Sequence, residues 1–417
     1  MRPASGWRRR SCSASLQRNE CGSASHAASE RVLPVAVALP NDLSSAAPVV
    51  RVAQVTRLGG VCCALLVASA LSGQAKMGVD RFLVDILPPA HKADAAWDYY
   101  RFAASAPPAD TDPVCLDGSP YSVQIRGGSA DKVLLYLEGG GACWNQQTCW
   151  QAELARKTAR NPGGQGILNF ADATNPFRSW TVVHAPYCDG SVFSGHRTVS
   201  YGGEPTYHHG LQNVSSAISV MRFRVRNPTQ IVIAGSSAGA YGGLSAYRIV
   251  RAVYPGVSIL VILASGVGLH NPDDRIAVAE RAEHWGFRQL LPPDCDRCNE
   301  QFTYAWQSAL ARDGNLRVAV IDYERDGILG FFLKMEPQAL KALWDKVTGD
   351  VQRSQPDRFK RLILHGRGHV VMTSPSFYSN RAPDGSIARW INAAVERSPE
   401  WRDLVAPSME ANQSGQR

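Results

Sequence analysis

The sequence has no apolar run long enough for a comfortable membrane span. Its longest, Val61 to Leu71, falls well short of the roughly 20 residues that a spanning helix needs. Nor does the body of the chain carry a surplus of charge of one sign. Of the net charge of +8, residues 1–76 account for +6, with nine Lys or Arg against three acids, which leaves +2 for the other 341 residues. The basic balance therefore gives no compositional case for a nucleic-acid partner. Internal repeats are missing, as is any low-complexity tract beyond the first segment. What remains, 45% hydrophobic and 19% charged residues, is the composition of an ordinary globular protein. One large domain over residues 77–405, preceded by a leader over 1–76 and followed by a frayed tail over 406–417, fits it best.

The leader has two parts. Residues 1 to about 55 are rich in Ser, Ala and Arg and poor in acids. The stretch RLGGVCCALLVASALSGQAKM then sets Arg57 before the apolar run and small residues Gly73 and Ala75 after it. That is the layout of a secretory signal peptide over about 57–75. A signal placed so far along the chain fits either a translation start near Val55, the preferred reading, or a transit peptide over the first stretch. Either way the body is expected to be exported, to the periplasm or the medium, without a stable membrane anchor.

Cysteine usage agrees with export. Four of the ten cysteines lie in the leader, and six, Cys115, Cys143, Cys149, Cys188, Cys295 and Cys298, lie in the body. An even number in an exported protein points to disulfides. The simplest pairing is local, Cys143 with Cys149 and Cys295 with Cys298, leaving Cys115 with Cys188. The rival is a zinc site at CDRC, but a second C-x-x-C or an H-x-H to complete four ligands is lacking. No metal or organic cofactor is expected.

Six short apolar runs carry the fold: KVLLYLEGGG from Lys132, WTVVHAPYC from Trp180, QIVIAGSS from Gln230, SILVILASG from Ser258, LRVAVIDYERD from Leu316 and KRLILHGRGH from Lys360. Their hydrophobicity is continuous, as in strands buried on both faces of a parallel sheet. Helical patterns at Gly210 to Arg224, Gly242 to Val253 and Pro337 to Val347 lie between several of them. Strands alternating with helices predict an α/β fold with a doubly wound, mostly parallel sheet. Two connections, residues 145–179 and 267–315, are too long for plain loops. They are expected at the carboxyl ends of strands, where such folds place a substrate cover.

The run QIVIAGSSAGAYGG, residues 230–243, passes from a buried strand into a turn with almost no side chains. Ser237 stands between Gly235 and Gly239 in G-x-S-x-G spacing, which fits a sharp strand-to-helix turn that exposes a nucleophilic hydroxyl. A phosphate-cradling loop would need a lysine, which is absent; a merely tight packing turn is the plain alternative. A serine nucleophile needs a base, a carboxylate to orient it, and amides for the oxyanion. LILHGRGHVVM offers His369, on a loop between glycines, ahead of His365, which closes the strand. AVIDYERDGILGFF offers Asp326 ahead of Asp322 and Glu324. YLEGGGAC offers the amides of Gly140 and Gly141, joined by that of Ala238. The order Ser, Asp, His is that of the α/β-hydrolase fold.

These segments, with CLDGSPY and YCDGSVFSG, resemble the pectin acetylesterase/Notum family of secreted carboxylesterases, closest to its bacterial members. The likeness runs from about Cys115 to Met372. It implies Ser237, Asp326 and His369 as a triad, Gly140, Gly141 and Ala238 as oxyanion donors, and the pairs Cys143–Cys149 and Cys115–Cys188. Two departures bear on substrate. Plant members place a tryptophan after the three glycines and Notum-like members an aromatic residue, where this chain has Ala142; plant members also carry a cysteine before the serine, where it has Ser236. Nothing in the sequence marks a long acyl channel, so a short acyl ester is expected, an O-acetyl group on a polysaccharide first among them, cleaved by a monomeric enzyme. An acyltransferase on the same triad, a Notum-like lipid esterase and a catalytically silent binding protein are the alternatives.

Overall fold

Alternate residues of each central strand enter different cores, which explains why the apolar runs are continuous. In β4 (Lys132–Leu137) Val133, Leu135 and Leu137 join one core and Leu134 and Tyr136 the other. In β9 (Ser258–Ala264) Ile259, Val261 and Leu263 oppose Leu260, Ile262 and Ala264 in the same way. Side chains on a strand alternate faces, so only a sheet covered on both sides demands an apolar residue at every position.

The computed structural model describes residues 78–379, apart from 93 and 95, and residues 385–405. The leader with its signal and four cysteines, and the tail from 406, lie outside the described residues. The remaining strands are β1 (Ala90–Lys92), β2 (Trp97–Arg101), β3 (Ser122–Arg126), β5 (Thr181–Ala185), β6 (Arg197–Tyr201), β7 (Glu204–His208), β8 (Gln230–Ser236), β10 (Leu316–Tyr323) and β11 (Phe359–Leu364). Of the eleven strands among the described residues, nine form one sheet in the order β1-β2-β3-β5-β4-β8-β9-β10-β11, and β6 pairs with β7 in a separate hairpin. From β5 to β11 every neighbouring pair is parallel, whereas β1, β2 and β3 are antiparallel at one edge.

Among the described residues there are eight α-helices: α1 (Gly210–Arg224), α2 (Ala238–Tyr241), α3 (Gly243–Val253), α4 (Arg275–Trp285), α5 (Tyr304–Arg312), α6 (Gly327–Leu333), α7 (Pro337–Ser354) and α8 (Ile387–Val395). Helices α1, α3, α5 and α7 bring their apolar residues to one core and α8 to the other. This is the doubly wound architecture of an α/β-hydrolase fold. Of the two long connections, 145–179 follows β4, and 267–315 follows β9 and holds α4 and α5. Three disulfides join Cys115 to Cys188, Cys143 to Cys149 and Cys295 to Cys298. CDRC is thus closed on itself, and no cluster of His, Cys, Asp and Glu suited to a metal occurs among the described residues.

Candidate active site

Strand β8 ends at Ser236, and the next residue bears the backbone strain. Ser237 has φ 54° and ψ −120°, a region that costs a non-glycine residue on the order of 1–3 kcal/mol. Its amide is held by the Ala264 carbonyl at the end of β9, 2.8 Å away, and α2 starts immediately after it. The flanking glycines are required by close approach of backbone. A Cβ on Gly235 would collide with the Gly239 carbonyl, and one on Gly239 with the Leu137 carbonyl of β4. Gly239→Ala should therefore destabilise the protein by about 3 kcal/mol, the upper part of the range for overpacking. Gly327→Ala, at a helical position with open space around it, should be neutral or stabilise by up to about 1 kcal/mol. Denaturant midpoints of the two variants check this; equal midpoints would contradict it.

Two distant segments come to the Ser237 hydroxyl. His369 Nε2 lies 2.8 Å from Ser237 Oγ, and His369 Nδ1 lies 2.7 Å from Asp326 Oδ2. A carboxylate only accepts, so Nδ1 carries the proton and Nε2 turns its lone pair to the serine. Asp326 is 2% exposed, and its other oxygen caps α6 by accepting from the Leu329 amide at 2.8 Å. One carboxylate thus starts a helix and orients an imidazole. The loop carrying His369 packs closely because Gly368 lies against the Tyr323 ring, where a Cβ would collide. The Ser265 hydroxyl donates to the His369 carbonyl.

The competing side chains go elsewhere. His365, the second candidate base, is exposed and faces Glu324 Oε2 at 3.1 Å. Asp322 Oδ2 accepts from the Trp344 indole at 2.6 Å. Burial, with the Asp326 charge adding to it, holds the Asp322 carboxyl well above the usual range.

On the other side of Ser237 lies the glycine loop after β4. Gly140 is pressed against the Tyr187 ring, and Gly141, at φ 83°, against the Leu154 carbonyl. Among the described residues, the amides of Gly140, Gly141 and Ala238 donate to no other protein group. Glu138 and Arg156 brace the loop with an ion pair of 2.7 Å.

Sequence reasoning missed the turn that faces this loop. Val192 and Phe193 have positive φ, 51° and 57°. The turn is tied by Asp189, whose Oδ1 accepts from the Ser191 amide at 2.8 Å, the Ser191 hydroxyl at 2.6 Å and the Phe193 amide at 3.3 Å. Full burial pushes the Asp189 carboxyl up to about 6 against those bonds. The motif YCDGSVFSG was visible; its strain was not.

The pocket itself was also missed. Ser237, His369, Gly141 and Ala238 border a cavity of about 150 Å³ whose walls are mainly apolar, with Leu244, Trp285, Phe287, Phe302, Trp306 and Leu333 among them. Four of these six belong to the connection 267–315. The available signal was the close grouping there of Trp285 with Phe287 and of Phe302 with Tyr304 and Trp306, large side chains that a solvated connection would leave exposed.

Comparison with known proteins gives a consistent picture. Residues 103–292 match the family model described as Pectinacetylesterase. Pectin acetylesterase 11 of Arabidopsis thaliana is 30% identical over 141 residues, 31% of this chain and 36% of its own length. Pectin acetylesterase 7 of the same plant is 27% identical over 171 residues, 38% of this chain and 44% of its own. The palmitoleoyl-protein carboxylesterase NOTUM of Homo sapiens is 29% identical over 219 residues, 46% of this chain and 43% of its own. The chain thus spans less than half the length of these relatives. The family match includes Ser237 and ends before Asp326 and His369.

Proposed function

We propose, starting from the chain's membership of the pectin acetylesterase/Notum family, that it is an exported serine carboxylesterase acting through an acyl-enzyme. The observation that carries this is the unbroken relay from Asp326 through His369 to Ser237, at 2.7 and 2.8 Å. His369 takes the Ser237 proton as Oγ attacks the ester carbonyl, and Asp326 stabilises the imidazolium that results. The oxyanion is held by the amides of Gly141, Ala238 and Gly140. His369 then returns the proton to the leaving alcohol. Water, deprotonated by the same imidazole, attacks the acyl-enzyme, and the acid departs as Ser237 recovers its proton. Export is supported by the three disulfides of the body, which persist in an oxidising compartment.

The cavity refines the substrate. An acetyl group fills little of a space of about 150 Å³, whereas an apolar cavity of about that volume can hold a benzene ring, six carbons. Each buried methylene is worth about 0.8 kcal/mol, so four more carbons can add about 3 kcal/mol to transition-state binding. The pocket therefore favours a medium acyl chain over acetyl. With p-nitrophenyl esters of two to sixteen carbons, kcat/KM is expected to rise about 100-fold from two carbons to six and to fall beyond about eight. A peak at two carbons would return the reading to a deacetylase, and a peak at sixteen would point to a lipid esterase. Release of acid in preference to transfer onto an added alcohol is the expected product pattern; dominant transfer would make the chain an acyltransferase.

A further inference from the structure

The walls of the Ser237 pocket are apolar apart from a few groups, and two of these have no evident use in the acyl-enzyme chemistry. Arg281 lies on α4 three residues after Val278 and four before Trp285, the spacing of one helix face, and all three line the cavity. Its guanidinium stands 4.9 Å from the centroid of the Trp144 ring. Among the described residues it makes no hydrogen bond or ion pair. The acids near it are Asp274 and Glu280. Asp274 is engaged by Lys334 at 3.0 Å and accepts from the Ala277 amide at the start of α4. Partial burial strips water from the Arg281 charge and lowers its pKa. A half-desolvated cation facing a cavity favours an anion there.

The second group is His270, 8% exposed, whose Nδ1 has no partner. Its ring lies over Phe302, with centroids 4.5 Å apart. The Gln301 side chain holds both its backbone amide and its carbonyl, each at 2.9 Å, which fixes where the ring sits. Burial, and then the Arg281 charge, lower its pKa to about 4. It is neutral at pH 7 and can donate one N–H. An orphaned buried nitrogen costs about 1–3 kcal/mol unless a ligand satisfies it. Behind His270, Val278 and Phe302 lies a second cavity of about 550 Å³, bordered by Arg275, Arg288 and Lys346 against Glu300. That glutamate already faces Arg297 at 3.5 Å, so basic side chains outnumber acidic ones around that cavity.

We propose that Arg281 and His270 form a carboxylate-binding subsite in the wall of the Ser237 pocket, so that the preferred ester carries an acid group. This rests on the reading of Ser237 as the nucleophile. The carboxylate accepts from the Arg281 guanidinium and the His270 N–H, with its carbon chain against Trp144 and Phe302. It can sit on the acyl chain or on the alcohol, and matched esters separate the two.

The test compares kcat/KM within two pairs: p-nitrophenyl hexanoate with p-nitrophenyl hydrogen adipate, equal in chain length, and phenyl acetate with 4-acetoxyphenylacetate. A wholly apolar pocket would reject the buried carboxylate of adipate strongly. Here the acid is expected to be favoured at least tenfold in one pair, the adipate pair placing the subsite on the acyl side and the other on the alcohol side. Arg281→Gln should cut that ratio at least tenfold, and Arg281→Lys should restore part of it. A preference for the neutral ester in both pairs, or a ratio that Arg281→Gln leaves unchanged, would overturn the subsite while the nucleophile reading stands. Absence of turnover on all four esters by folded wild-type protein would overturn both.

Discussion

Ser237→Ala is expected to lower kcat on p-nitrophenyl hexanoate by about 10⁶-fold, the scale seen when a triad serine is removed from a serine hydrolase. That corresponds to about 8 kcal/mol of transition-state stabilisation. The residue left behind is small, and the turn is held by contacts that the hydroxyl does not make. The Ser237 amide reaches the Ala264 carbonyl, and Gly235 and Gly239 allow the backbones to meet. Alanine in the strained conformation costs no more than serine, so the denaturation midpoint should move little. Activity alone should collapse, leaving the small residual rate that oxyanion amides supply by themselves. Retention of more than about 1% of wild-type kcat would mean that another group attacks the ester.

The second large effect separates two aspartates only four residues apart. Asp326→Asn keeps an N-cap for α6, because asparagine caps about as well as aspartate, yet it removes the charge that stabilises the His369 imidazolium and can impose the wrong tautomer. A fall in kcat of about 10⁴-fold is expected, the size found for the equivalent change in a known triad. Asp322→Asn replaces a carboxyl whose protonated form burial favours by an amide of the same shape, whose oxygen can still accept from the Trp344 indole. Its kcat should stay within about threefold of wild type. The two variants are compared at one pH with far-ultraviolet circular dichroism as a fold check. A collapse in Asp322→Asn with Asp326→Asn active would reverse the assignment.

How much of this could be read without a fold depends on where burial is uniform. The six strands β4, β5, β8, β9, β10 and β11 were legible because both faces of the sheet are covered, so most of their positions are apolar. The edge strands β2 and β3 were not. In β3 the pattern is broken by Gln124, which is 2% exposed and lies with its Oε1 2.8 Å from His184 Nδ1, a cross-strand partner that no local pattern reveals. The β6–β7 hairpin did carry a signal, Gly202-Gly203 with both φ positive, 64° and 94°, at a two-residue turn of the kind that needs such angles. Helix α7 runs past Val347 to Ser354, although Thr348 and Gly349 look like breakers. Both are buried, and the Thr348 hydroxyl donates to the Trp344 carbonyl at 2.7 Å.

The candidate site divides in the same way. Ser237 and its glycines form a contiguous motif, and His369 and Asp326 follow in an order that strand ends impose, so sequence could nominate all three. The pocket could not be nominated, because Leu244 on α3, Trp285 on α4, Trp306 on α5 and Leu333 on α6 are each an ordinary apolar helix residue until the helices meet. Arg281 and His270 were passed over for the same reason. One looks like a solvated charge and the other like a loop residue, and only the cavity between them gives either a role.

The assignment of Ser237 as nucleophile is tested most directly by covalent trapping. Wild-type protein expressed from Lys76 onward under oxidising conditions is treated with an alkyl fluorophosphonate, and intact mass and peptide maps are recorded. The expected result is one phosphonyl adduct per chain with loss of fluoride, located on the peptide that carries Ser237, and none on Ser237→Ala. A folded protein that acquires no adduct, or one whose adduct lies on Ser265 or another hydroxyl, would contradict it.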